Sequence, residues 1–565
     1  MFCRGGNNAR IRRTRSDDGV GGSGVAGYLS TKLQSSLPFV YILTAVAAVL
    51  RLATLSRKSL WVDEACTAQY ATLHSAAALF THLVRHEIHP PLFFLIERVS
   101  VRLLGSGDVA LRLIPAVCGV LLVPVAYVLA RKALDDRTAV VAAAIVAVHP
   151  YFLQNSQEAR ATVLVGLLVA VAVVLLGILL ERGLSPLVCV AFLAVVVSAF
   201  WTDHLALPAV GGMAVAASLL VSTKRRKELL RWIGFLTVLV ILTVPSLWLL
   251  HVQLHNDPSR TAAGGSMIKA AAGVVLHLAE GYRFANITVA ELWSTLRRPL
   301  AALYLAVGGL GFLTLVLAGA LDALKERLRV GTVLLVGAAT APLIVILVLG
   351  RVDLMKARYL LQTGLPLLAV MLLARGIVRA AEARRRWVLG VAAAWAVVAV
   401  VGLVHGLTLR VDPIHKENWR AVAAVAGSTQ ATPTVLLCAG MCSDWVFDHY
   451  AGPGIASREV AAAAIVPPDE RTAPALLLVL GKNGFPWTPS AFQDVHEQLG
   501  AAGYSVVRDE PLGADLRAIL AYRHHGCQGR HFWHFSSGLG LTWWSGQSPC
   551  CIGLGPGSER WPRRR

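Results

Sequence analysis

Between Leu37 and Arg410 the chain is a succession of long apolar runs broken by short polar segments. Runs such as Val163–Leu180 carry no polar side chain at any helical spacing, so no face of such a helix is made for water. A stretch of about 20 apolar residues matches the bilayer core, and its repetition predicts membrane spans rather than a soluble helical solenoid. The first span is expected at about Leu37–Leu55, the second at Ala110–Ala130, a short third at Thr138–Phe152 and the seventh at Trp232–His251. The tenth begins at Tyr359 and the last ends near Arg410, giving about eleven in all. One apolar run is set apart: residues 91–105, PLFFLIERVSVRLLG, carry Glu97, Arg98 and Arg102 and are read as a helix lying in the interface. The loop that contains it, about residues 56–109, is long.

Charge then orients the pattern. With the 91–105 helix kept out of the bilayer, the clusters Arg131-Lys132, Lys224–Lys227, Lys325–Arg327 and Arg375–Arg386 all fall on one side, which the positive-inside rule makes cytoplasmic. Letting that helix cross would put the densest cluster, Lys224–Arg231, outside. Residues 1–35, rich in Gly, Arg and Ser, read as a disordered basic cytoplasmic arm, not a cleaved leader. Residues 36–410 form the membrane domain. Residues 411–523 change character: short apolar runs at Thr434–Cys438 and Ala475–Leu480 alternate with Pro/Gly breaks and a helical stretch at Ala491–Ala502. That predicts a small extracytoplasmic α/β domain. Residues 524–565, rich in Trp, Gly, Cys and Arg, show no foldable pattern and are read as a disordered or atypical tail. The fold class is thus an all-α polytopic membrane protein with a small C-terminal α/β domain.

Composition sharpens this in two places. Only 15% of residues are charged, against about 25% in soluble domains, and the mean hydropathy is +0.60. The net charge of +20 would fit nucleic acid, but the cations sit at span ends, where anionic headgroups explain them. Membrane lipids, and not nucleic acid, are the expected partners. The nine cysteines show no metal or redox spacing; Cys118 and Cys189 are isolated in apolar runs, and Cys438 and Cys442 are near enough to approach, with no disulfide assigned.

The topology gathers Asp63-Glu64, His89, Glu158, Arg160, Asp203-His204 and Lys356-Arg358-Tyr359 on the outer face. Ionisable groups beside a membrane are costly and mark a functional site by default. Each has a plainer reading. Asp63-Glu64 can cap the helix that starts near Ala65, His89-Pro90-Pro91 can open the next helix, Glu158 and Arg160 can form an interfacial ion pair, and Arg358 can snorkel.

In order along the chain, SLWVDEACTAQY, HPPLFFLIERV, ALRLIPAVCGVLLVPVAYVLARK, NSQEARATVLVGLLV and KARYLLQTGLPLLAVMLL resemble the GT-C membrane glycosyltransferases, in particular the protein O-mannosyltransferase and aminoarabinose transferase group and its bacterial relatives. KENWRAVAAV looks like the start of their outer domain. The resemblance covers about Phe39–Val425. It implies an enzyme of the bacterial plasma membrane that moves a sugar from a polyprenyl-phosphate donor to a glycan, lipid or protein acceptor. It implies that Asp63, Glu64 and Glu158 are the catalytic acids, Asp63 matching the first-loop acid and Glu158 the second-loop acid. Arg112 matches the arginine opening the next span, and Arg358-Tyr359 the Arg-Tyr of a later loop. Chemistry adds roles. Asp63 is the candidate base; Arg160 and Arg358, with Lys356 and Arg112 behind them, suit a leaving phosphate; His89 and His204 are candidate contacts. In-line attack would invert the anomeric centre. No cofactor is certain, and a divalent Mg or Mn ion between Asp63, Glu64 and Glu158 stays open. Two other readings stay open as well. A lipid-linked-saccharide flippase would spread its charges through the bilayer, and an inactive relative would only bind glycan.

Overall fold

The computed structural model describes residues 37–222, 226–256, 267–280, 299–326, 329–348, 364–408, 417–429, 432–440, 442–452, 454–462, 465–481, 484–512 and 516–523. The arm expected at 1–35, the tail at 524–565 and Lys356, Arg358 and Tyr359 lie outside the described residues.

The chain enters through α1 (Leu37–Leu52). Four helices then fill the first loop and lead out of it: α2 (Val62–Thr72), α3 (Ala76–His86), α4 (Leu92–Leu104) and the start of α5 (Asp108–Ala133). The bundle continues with α6 (Asp136–Val148), the short α7 (Pro150–Asn155), α8 (Thr162–Arg182), α9 (Pro186–Phe200), α10 (Ala206–Val221) and α11 (Arg226–Asn256). It ends with α12 (Met267–Glu280), α13 (Pro299–Ala323), α14 (Val330–Val348), α15 (Leu365–Glu382) and α16 (Arg386–Thr408).

A helix lies at each position where a span was expected. Among the described residues, six are long and apolar enough to cross a membrane (within α5, α8, α11, α13, α14 and α16), and α1, α9 and α10 are shorter apolar helices. The expected third span is divided. Pro150 lacks an N–H and disfavours helix in the residue before it, so α6 stops at Val148 and α7 restarts with Pro150 in its first turn. Helix α4 is 13 residues long, about 20 Å, too short for a bilayer core of about 30 Å. Of its three charges, Arg102 is exposed, whereas Glu97 and Arg98 are buried. Small residues let spans approach closely. A Cβ on Gly212 of α10 would lie 2.1 Å from the Gly337 carbonyl of α14, and one on Gly319 of α13 would lie 1.8 Å from the Leu372 carbonyl of α15.

After α17 (Trp419–Gly427) come β1 (Thr434–Cys438), α18 (Ser443–Ala451), β2 (Ser457–Glu459), β3 (Ala475–Gly481), α19 (Pro489–Ala501), β4 (Tyr504–Pro511) and β5 (Leu516–Arg523). They form one five-stranded sheet in the order β2-β1-β3-β5-β4, with β2, β1 and β3 parallel and the other two pairings antiparallel. The continuous apolar run of β3 is buried at every position, as a central strand covered on both faces must be. Alternation sorts the two faces. Leu436, Leu478 and Ile519 pack with Val495 and Leu499 of α19. Val435, Leu477, Val479 and Leu520 share a core with Tyr70, Phe93, Trp419 and Phe447. One face of the sheet is therefore built into the first-loop helices.

Candidate active site in the first loop

The two acids of the VDE segment lie side by side on α2 and have different surroundings. Glu64 is fully buried. Its carboxylate accepts from Arg112 Nε at 2.8 Å and a terminal Arg112 nitrogen at 2.6 Å, from the Ala159 N–H at 2.9 Å and from the Trp61 N–H at 3.4 Å. Arg112 spends its remaining donors on the carbonyls of Leu55, Lys58 and Ser59 at 2.8–3.1 Å. Its five N–H bonds are thus committed within the fold, so the phosphate contact expected of Arg112 is not where the structure places it. Glu64 likewise ties the loop after α1 to α5 and to the 156–161 turn instead of facing a reactant.

Asp63 points the other way. Its side chain is 30% exposed, and a terminal nitrogen of Arg160 stands 3.9 Å from its carboxylate. Arg160, His89, Thr67, Phe93, Phe94 and Thr162 line one small pocket. Polar and aromatic groups thus converge beside the one carboxylate of the pair that reaches solvent.

The His89 side of this pocket is braced from three elements. Nδ1 of His89 lies 2.8 Å from Glu87 Oε1 and Nε2 lies 3.8 Å from Asp203. Burial alone would raise the Glu87 carboxyl, but the His89 ring and the Arg160 guanidinium outweigh it and hold it at about 2. Asp203 accepts the Leu205 N–H at 2.8 Å and so caps the turn into α10. His204, expected to touch substrate, has its ring occupied: Gln253 Oε1 is 2.9 Å from Nε2 and Ser246 Oγ is 3.5 Å from Nδ1, and burial lowers its pKa. Gln253 in turn donates to the carbonyls of Leu83 and His89. His204 is a prop for the His89 loop.

Glu158 is buried in the 156–161 turn beside Arg160. The metal set left open by the sequence does not assemble, since both Glu64 oxygens are taken by Arg112, and among the described residues no group of three suitable side chains is placed to hold an ion.

Sequence reading missed several participants. Glu417 accepts the Val62 N–H at 3.0 Å and the Trp419 indole N–H at 2.7 Å. Tyr450 accepts the Leu60 N–H at 2.8 Å and donates to Asp108, which also pairs with Arg420 and lies 3.1 Å from His449. Cys66 and Cys442 form a disulfide, so the nearby Cys438 is not the partner of Cys442. Glu97 is buried with neither oxygen hydrogen-bonded among the described residues, and burial with Glu64 behind it pushes its carboxyl well above the ordinary range. Glu417, Val62 and Cys66 lie inside motifs visible in the sequence, but the pairings of Glu417 with Val62 and of Cys66 with Cys442 are not.

Residues 88–251 match the family described as Dolichyl-phosphate-mannose-protein mannosyltransferase. The chain resembles the GT-C membrane glycosyltransferases. The matched stretch holds His89, Arg112, Glu158, Arg160, Asp203 and His204 and begins after Asp63 and Glu64. It supports glycosyl transfer at a membrane as the class of activity. Among solved structures, ArnT from Cupriavidus metallidurans bound to undecaprenyl phosphate is 15% identical, with 86% of this chain and 98% of that chain covered and a TM-score of 0.48. The archaeal oligosaccharyltransferase AglB from Archaeoglobus fulgidus, in complex with an inhibitory peptide and a dolichol-phosphate, is 12% identical, with 79% and 69% covered and a TM-score of 0.46. No curated protein matches the chain by sequence.

Proposed function

We propose that this protein transfers a sugar, mannose or a similar hexose, from a polyprenyl-phosphate donor to an acceptor hydroxyl at the outer face of a bacterial plasma membrane. The observation that carries the reading is the Asp63–Arg160 pair, a half-open carboxylate 3.9 Å from a guanidinium at the rim of the His89 pocket. In the proposed step the acceptor oxygen attacks the anomeric carbon as its proton passes to Asp63. The bond from that carbon to the phosphate oxygen breaks, and the polyprenyl phosphate leaves with the electron pair. Arg160 meets the charge that grows on it. Direct displacement inverts the anomeric centre. Arg358, Lys356 and Tyr359 are proposed to complete the phosphate site.

The amino terminus and the Arg375 end are assigned to the cytoplasm, and residues 411–523 to an extracytoplasmic domain. The Cys66–Cys442 disulfide supports this orientation, because such bonds persist in oxidising compartments and both cysteines belong to the assigned outer side.

The test is transfer of radiolabel from polyprenyl-phosphomannose in membranes carrying wild type or Asp63→Asn. A general base contributes about 10²–10⁴-fold, so the near-isosteric change is expected to remove at least about 99% of transfer at equal protein level. Undiminished transfer by Asp63→Asn would remove Asp63 from the mechanism. No transfer by wild type with any polyprenyl-phosphate sugar would overturn the reading and favour a flippase.

A further inference from the structure

Helix α2 carries Asp63 in its first turn, and the first N–H groups of a helix have no partner inside it. Here carboxylates supply two: Glu64 accepts from Trp61, and Glu417 accepts from Val62 at 3.0 Å. Glu417 is 4% exposed, comes from the segment just before α17, and is itself fixed by the indole of Trp419, which is fully buried. One residue further upstream on the loop, the Leu60 N–H is held at 2.8 Å by Tyr450 of α18. One turn along α2 from Asp63, Cys66 is bonded to Cys442, the residue that opens α18, with the two Cα atoms 5.4 Å apart. Three attachments from the C-terminal α/β region therefore bear on Leu60, Val62 and Cys66, at the entry and first turns of α2, and Asp63 lies between them.

We propose that the α/β region is the positioning device for Asp63, with Glu417 and the Cys66–Cys442 disulfide as the residues that hold the carboxylate in its reactive place. The inference rests on the transfer reading of the site. A carboxylate that must meet both an acceptor proton and an anomeric carbon loses rate when its helix drifts by as little as about 1 Å, so the effect falls on turnover more than on binding. Glu417, Cys66 and Cys442 touch no reactant and act only through α2.

The experiment uses the full-length chain in nanodiscs with polyprenyl-phosphomannose, comparing Glu417→Ala, Glu417→Gln, Cys66→Ser and wild type treated with dithiothreitol. Dithiothreitol gives two electrons and two protons to the disulfide, leaves thiols on Cys66 and Cys442, and closes to its own cyclic disulfide. Turnover is scored per folded, monodisperse protein, beside hydrogen exchange of the 62–72 amides. Glu417→Ala and Cys66→Ser are expected to lower kcat about 10–100-fold with KM within about threefold, and to speed exchange in 62–72 while leaving 365–382 unchanged. Glu417→Gln keeps an acceptor for the Val62 and Trp419 N–H groups and is expected to recover most of the rate. Reduced wild type should match Cys66→Ser. Wild-type kcat in Glu417→Ala and in the reduced protein overturns the proposal, as does a lowered melting temperature with kcat and 62–72 exchange unchanged. A wild type that transfers nothing while 62–72 exchange still responds overturns the donor reading and leaves the fastening of α2 established.

Discussion

The two ends of the helix bundle are both rich in charge, and they use it differently. At the end assigned to the cytoplasm, Arg375 has a side chain only 1% exposed and pairs with Asp135, Asp322 and Glu326. Arg379 joins Asp322, Glu326 and Glu382, and Arg137 also reaches Glu382. Six of these seven ion pairs join helices or turns distant in sequence, so the network works as a clasp. The first-loop end contains a clasp of the same kind in Glu64–Arg112. Next to it, however, Asp63 is 30% exposed and 3.9 Å from Arg160, which lines a small pocket with Phe93 and Phe94. Charge density beside a membrane therefore does not by itself mark a reactive site. A closed pair holds elements together, and a partly exposed pair is where the proposed transfer would place its reactant. That Asp63 and Glu64 are neighbours in sequence makes the contrast testable with isosteric changes.

The largest effect is expected where the clasp is most buried. Glu64→Gln leaves the Arg112 guanidinium buried against a neutral amide, and breaking a buried pair from one side costs about 3–5 kcal/mol. Unfolding in detergent should show that loss, in contrast to Asp63→Asn, which should leave stability within about 0.5 kcal/mol because its site is partly solvated. A stability loss below about 1 kcal/mol for Glu64→Gln would erase the distinction between the two acids.

Next comes the opposite end. Arg375→Met keeps the volume and leaves three carboxylates together, but these are 27–52% exposed and can be hydrated, so the expected cost is about 2–3 kcal/mol. Turnover of the protein that remains folded should stay within about twofold of wild type. A tenfold fall in kcat with the fold intact would mean that the Arg375 end takes part in the reaction and that the comparison is wrong.

Hydrophobic periodicity was enough to place the bundle, because a span needs only its own residues to declare itself. The same holds for the β3 run, whose apolar residues are buried at every position. Resemblance added the candidate acids, and the structure sets Glu64, whose oxygens accept from Arg112, apart from the partly exposed Asp63. Nothing in VDEA says which of Asp63 and Glu64 meets Arg112, since on a helix successive residues point about 100° apart and the choice is made by α5, nearly fifty residues later. The Cys66–Cys442 bond has a sequence separation of 376, and cysteine spacing cannot register a pairing of that span. Glu417 was visible only as part of KENW, a label without a partner until Val62 stands beside it. The division of the third expected span at Pro150 is a local effect of the proline, to which a run of apolar residues is blind.

Arg160 sharpens the contrast from the open side. It touches Asp63 loosely and faces the pocket, so Arg160→Gln should cost little stability and lower kcat/KM about 10–50-fold through weaker hold on the leaving phosphate. Arg160→Lys keeps the charge and loses the planar fork, so it should recover only part of the rate. Equal behaviour of the Lys and Gln variants would argue that geometry, not charge, is what the phosphate reads. Wild-type kinetics in Arg160→Gln would move the phosphate site away from this pocket.

The smallest effect concerns a closed pair outside the membrane, where the same rule predicts stability without catalysis. Asp509 of β4 accepts from Arg517 at 2.6 and 2.9 Å and lies 3.1 Å from His496. Burial pushes its carboxyl up, but the His496 and Arg517 contacts outweigh that and hold it at about 2, below the ordinary 3.8. A carboxyl depressed in the folded state contributes stability that is fully present above its unfolded value, and loses it as pH falls from about 4 towards 2. The shift sets a ceiling of about 2 kcal/mol, and solvent around the partly exposed Arg517 and His496 reduces the expected value to about 1 kcal/mol. Asp509→Asn should therefore be less stable than wild type at pH 6 by about that amount and indistinguishable from it near pH 2. Denaturant titration of the full chain, with hydrogen exchange read in the 504–511 peptide, measures the difference at each pH. Turnover at pH 7 should not change. A fall in kcat there would connect the far edge of the sheet to Asp63, and would mean that closed pairs in this protein also tune the reaction.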